Sequence, residues 1–159
     1  MIKLNPENLI DRIIAFWQTE DILRANHFNV ASLKQKQPEL SGKEMEWLEN
    51  MAAQMRDQNV LEKGHISESM SLLALFEKAN SELNEKQIEA YKPLMDTLDQ
   101  HPESKNHRSK VQTAFEILYG YFLKRVDNKT MYPQVEILAR AIGEWLTELS
   151  EKVKVDDQQ

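Results

Sequence analysis

Asp21 and Arg24 stand where hydrocarbon is expected. Between Asn5 and Ala25, Ile10, Ile13, Ile14 and Trp17 recur at the three-and-four spacing of one helical face. At about 100° per residue, Asp21 falls nearly in line with Ile10 and Arg24 nearly in line with Ile13, with Glu20 at the edge of the stripe. An acid and a base on an inner stripe make either a structural ion pair or the wall of a pocket. Further groups fit the same chemistry: Arg56 closes the next long helix, Glu62, Lys63 and His65 lie in the connection after it, and Tyr119 stands beside a mid-helix glycine. Glu20, Asp21, Arg24, Arg56, Glu62, His65 and Tyr119 therefore form the candidate polar pocket. Its arginines suit a carboxylate or phosphate, and its acids and histidine suit proton transfer. A simpler role competes. Charged side chains on inner stripes are most often paired structurally, which makes an Asp–Arg network with His65 capping a neighbour the favoured reading.

Other chemistries find less support. Glu62-x-x-His65 has the spacing used by di-iron bundles, but those sites need two such motifs and two further glutamates on inward helical faces. His27, His101 and His107 fall at helix ends or in loops, so no metal or other cofactor is expected. Glu46-x-x-Glu49 is half of an acidic nucleotide-pyrophosphatase signature, and Glu46 points away from the Met45-Leu48-Ala52 stripe. Phosphate loops, nucleophile elbows and locally supported Ser-His-Asp groupings are missing. The 159 residues contain no cysteine, which removes disulfides and thiol catalysis. A net charge of −6 argues against general nucleic-acid binding, and Lys105 to Lys110 reads as a solvated basic loop. The start, Met1 to Pro6, lacks the pattern of a secretory signal, and no apolar run is long enough for a membrane span. These features point to the cytoplasm.

The elements that must position these groups are helical. Asn5 and Pro6 suit a helix start, with the first helix ending near Asn26-His27. A short helical turn is expected at Val30 to Lys36. Ser41-Gly42-Lys43-Glu44 has capping-box spacing, ahead of an inner face of Met45, Leu48, Ala52 and Met55. A helix from about Ser67 carries Leu72, Phe76, Ala79 and Leu83 inward. The next, Asn84 to Gln100, carries Ile88, Tyr91, Met95 and Leu98, with Pro93 expected to kink it or to mark a new first turn. Val111, Phe115, Leu118, Phe122 and Val126 line a fifth helix, and Val135, Leu138, Ile142, Trp145 and Leu149 a sixth. Gly120 and Gly143 sit mid-helix at a cost of about 1 kcal/mol each relative to Ala, which suggests that these last two helices pack closely. Met45, Met51, Met55 and Met70 suit core filling, or a groove for a partner helix. The expected fold is all-α: a single-domain antiparallel bundle of five or six helices over residues 1–154, with short connections and a frayed tail at 155–159.

Three segments carry a family resemblance: Trp17-Gln18-Thr19-Glu20-Asp21-Ile22-Leu23-Arg24-Ala25, then Met55-Arg56 with Leu61-Glu62-Lys63-Gly64-His65, then Leu118-Tyr119-Gly120 with Arg125. Their order and separation resemble a bacterial family of domains of unknown function, numbered 4924, over nearly the whole chain. The resemblance implies a small, all-helical cytoplasmic protein and brings no activity with it. The favoured function is a non-enzymatic interaction or structural protein, with a homodimer or another protein as partner. The alternative is an anionic small-molecule site, binding or enzymatic, on Asp21, Arg24, His65 and Tyr119.

Overall fold

The computed structural model describes residues 6–106, 109–127 and 132–157. Seven α-helices and no strands occur among them: α1 (Leu9–Ala25), α2 (Val30–Lys36), α3 (Gly42–Asp57), α4 (Ser67–Ser81), α5 (Glu85–Gln100), α6 (Lys110–Val126) and α7 (Pro133–Asp157). The all-α expectation holds. The helix beyond the expected five or six is α2, whose N-cap Asn29 accepts the Ser32 amide at 3.0 Å. The chain divides into two compact units, Met1–Leu72 and Leu73–Gln159.

Caps decide where the helices begin. The start of α1 is not at Pro6: Asn8 is its N-cap and accepts the amides of Ile10 and Asp11 at 2.8 and 3.2 Å, while Asn5 lies outside the described residues. The Ser41–Glu44 capping box forms in both directions, at 3.1 and 3.2 Å. Asn84 and Gln87 build a second box at the start of α5. Two helices end on left-handed residues, His27 (φ 53°) after α1 and Asn59 (φ 56°) after α3. In each, the next amide reaches back to the carbonyl of Leu23 or Met55, at 2.8 and 3.0 Å, which is the Schellman pattern.

In the first unit, α3 packs on α1 and α2. Phe16 stacks on Trp47 with ring centroids 5.4 Å apart, and Trp47 Nε1 donates to Thr19 Oγ1 at 3.1 Å. Arg56, at the end of α3, reaches the carbonyl of Phe28, just past α1. Thus α1 and α3 run in the same direction, because α2 carries the chain back between them. Ile13, Leu23, Leu48, Met51 and Met55 are fully enclosed here.

In the second unit, α6 packs on α5 and α7, and α5 on α7. Phe76 meets Phe115 edge-on at 5.2 Å, and Ile142, Trp145, Leu146 and Leu149 are buried. Several expected core positions shift by a residue or more. Leu73 is buried instead of Leu72, and Leu94 takes the place expected of Ile88, which is 57% exposed. Val126, the last residue of α6, is also exposed. Pro93 lies within an α5 that continues on both sides of it. A Cβ built at Gly120 or Gly143 meets no atom within 4 Å, so close packing of α6 on α7 does not explain either glycine. Of the tail expected at 155–159, α7 includes residues as far as Asp157, and 158 and 159 lie outside the described residues.

Candidate functional site

The acid that α1 buries is Glu20, not Asp21. Glu20 is completely enclosed, whereas the Asp21 side chain is 55% exposed and stands 3.8 Å from Arg24. The reason is rotational. Seven residues bring the helix round to within about 20° of the start, so Glu20 stands almost over Ile13, the centre of the buried arc. Phe16, Thr19 and Leu23 extend that arc away from Asp21. An arc centred on Ile10 would have favoured Asp21.

Each Glu20 oxygen has one partner. His65 Nδ1 donates to Oε1 at 2.7 Å, and the Ile66 amide donates to Oε2 at 2.8 Å. The Ile66 carbonyl accepts the Met70 amide at 3.1 Å and so opens α4, which places the carboxylate beside the positive end of that helix. Trp17, one turn before Glu20, lies flat on the His65 ring with centroids 4.4 Å apart and planes 11° apart. Its Nε1 donates to the buried Ser69 hydroxyl at 2.8 Å. The carboxylate, imidazole, indole and hydroxyl thus tie one face of α1 to the first turn of α4.

Arg24 binds backbone. Its Nη2 donates to the carbonyls of Val60 and Gly64 at 2.8 and 2.6 Å, so the guanidinium fastens the connection between α3 and α4. Gly64 has φ +91°, a conformation that an L side chain rarely adopts, and this turn presents its carbonyl to Arg24. Arg24 Nε is buried without a hydrogen-bond partner among the described residues.

The remaining candidates separate. Arg56 is exposed and lines a shallow cleft of about 620 Å³ with His27, Phe28 and Glu49, whose walls include neither Glu20 nor His65. Glu62 is exposed in the connection. Tyr119 belongs to the second unit, where it stacks on Phe122 with centroids 6.4 Å apart. Among the described residues no three His, Asp or Glu side chains converge as metal ligands, and no helix is long and apolar enough to cross a membrane. Of the methionines weighed as a groove, Met51 and Met55 are core, Met45 is half-buried and Met70 is exposed.

One family model, described as a domain of unknown function (DUF4924), matches residues 2–159. The chain belongs to this family. No curated protein and no solved structure matches the DUF4924 chain. The segments that carry the resemblance in the sequence include the structural contacts described here: Trp17, Glu20 and Arg24 in the first, Gly64 and His65 in the second.

Two parts of this cluster carry no signal in the charged-residue pattern. Ser69 precedes Leu73 and Phe76 at the four-and-three spacing of the inner face of α4, so extending that stripe backwards would have found it. The carbonyls that hold Arg24 leave no trace in residue type.

Proposed function

We propose that this chain is a non-enzymatic interaction or structural protein, and that the Glu20–Arg24–His65 cluster holds its first unit together. The observation that carries this reading is that both Glu20 oxygens and Arg24 Nη2 are already occupied by groups of their own unit, two of them carbonyls and one an amide. A carboxylate engaged on both oxygens is poorly placed to move a proton to a ligand. Within the second unit we infer that α5 and α7 run antiparallel, since Gln87 near the start of α5 donates to Glu148 late in α7, while Leu94 and Thr97 further along α5 share a groove with Gln134 and Ile137 near the start of α7. Between them runs a groove of about 480 Å³ lined by apolar residues of α5, including Tyr91, Pro93 and Leu94, and by Leu138 and Ala141 of α7. Ile137 is part of the same lining and is 68% exposed. An exposed isoleucine in the wall of a largely apolar groove is surface that a two-fold partner could cover with its own copy of the same patch, and the partner proposed is a second copy of the chain. Sedimentation of the parent and of Ile137→Glu tests this. A parent dimer that the substitution dissociates supports the reading, and a parent that stays monomeric at high concentration overturns the homodimer.

A second reading, an anionic small-molecule site on Asp21, Arg24 and His65, is favoured by one observation, the unpartnered Arg24 Nε. It requires a ligand whose binding weakens in Arg24→Lys while the fold is retained. Screening acidic metabolites by thermal shift, with that variant as control, decides between the two.

A further inference from the structure

The second unit contains a different polar cleft. It is open, about 450 Å³ in volume, and lined by Leu118, Tyr121 and Arg125 of α6 and by Glu136, Ala139 and Arg140 of α7. Two features set it apart. The Arg125 guanidinium lies over the Tyr121 ring, 5.8 Å from its centroid, which restrains the arginine without using any of its N–H donors. Neither Arg125 nor Arg140 has a carboxylate within 4 Å among the described residues, although Glu136 is one helical turn from Arg140. Two arginines with no ion pair among the described residues, set against the single carboxylate of Glu136, leave the lining of this concavity with a net positive charge in a chain whose total is −6.

Guanidinium forks match the paired oxygens of carboxylates and phosphates, and two of them on neighbouring helices can grip one such group from both sides. Glu136 adds an acceptor at the same cleft, and Leu118 and Ala139 supply apolar wall. We propose that this cleft binds a small molecule bearing a phosphate or carboxylate group, held by Arg125 and Arg140, with a hydroxyl or amine donated to Glu136. The site lies wholly within the second unit and does not depend on the Glu20 cluster or on the oligomeric state.

The test uses the full chain and follows the arginine Nε–H resonances by NMR. Inorganic phosphate and, separately, acetate are titrated at constant ionic strength against chloride. The expected result is saturable movement of the Arg125 and Arg140 signals, with the anion that saturates at lower concentration identifying the group recognised. Both arginines are exposed, so Arg125→Gln and Arg140→Gln should fold, and each should weaken binding about tenfold, the value of one charge-assisted hydrogen bond. Lys124→Gln removes the same charge one residue away and outside the cleft, and should leave affinity within about twofold. A linear response to both anions overturns the proposal. So does an equal loss in Lys124→Gln, because general attraction to a basic surface would then account for the binding.

Discussion

Replacing Glu20 by alanine removes the group on which the first unit's polar contacts converge. The Ile66 amide would be left buried without its acceptor, at about 1–3 kcal/mol, and His65 would lose a hydrogen bond to a charged group worth about 1.5–3 kcal/mol. These losses share a partner and do not simply add, which puts the total at about 3–5 kcal/mol. For a chain of this length that lowers the melting temperature by roughly 6–20 °C. Asp21→Ala, on the neighbouring residue, makes the contrast. Asp21 is half in water and 3.8 Å from its basic partner, a pair worth about 0–1 kcal/mol, and alanine returns a few tenths through helix propensity. Urea unfolding followed by far-UV circular dichroism and tryptophan fluorescence would measure both variants beside the parent. A loss in Asp21→Ala that equals or exceeds that of Glu20→Ala would refute the assignment of Glu20 as the buried acid.

Three further substitutions probe separate parts of the fold. Gly120→Ala should stabilise the protein by about 0.5–1 kcal/mol, because the new methyl enters open space on a helix; a loss of stability in urea would show that something does approach this position. Gly64→Ala should destabilise by about 1–2 kcal/mol through its left-handed backbone, with an unchanged melting temperature as the contrary result. Trp17→Phe keeps most of the ring stacked on His65 but strands the buried Ser69 hydroxyl, for an expected loss of about 1–3 kcal/mol; restoration in the double variant Trp17→Phe, Ser69→Ala would attribute that loss to the hydroxyl, and failure to restore it would not.

Helix type and most helix starts were legible in the sequence because both depend on near neighbours. Ser41 and Glu44 are three residues apart and cap the same helix end whatever surrounds them. Burial was less legible, since it depends on which arc of a helix another element covers. Ile88 and Val126 continue their stripes by spacing, yet both stand exposed. The polar cluster shows the same limit. Trp17, Glu20, Arg24 and His65 were visible as residues able to do chemistry, but a rotation of one position on α1 decided which acid went inside. Arg24's partners are main-chain oxygens, which every residue carries. The position of Arg56 beside the end of α1 followed from the direction of α3, which α2 sets.

The bond between Glu20 and the Ile66 amide joins residues 46 apart in the chain. No local fluctuation of α4 alone can replace that acceptor, because the amide opens the helix and has no partner within it. Water reaches this hydrogen only when α1 and the start of α4 separate. The exchange rate of a single backbone proton therefore reports the opening of the first unit, and in Glu20→Ala the same proton should lose its protection while amides in the middle of α7 keep theirs.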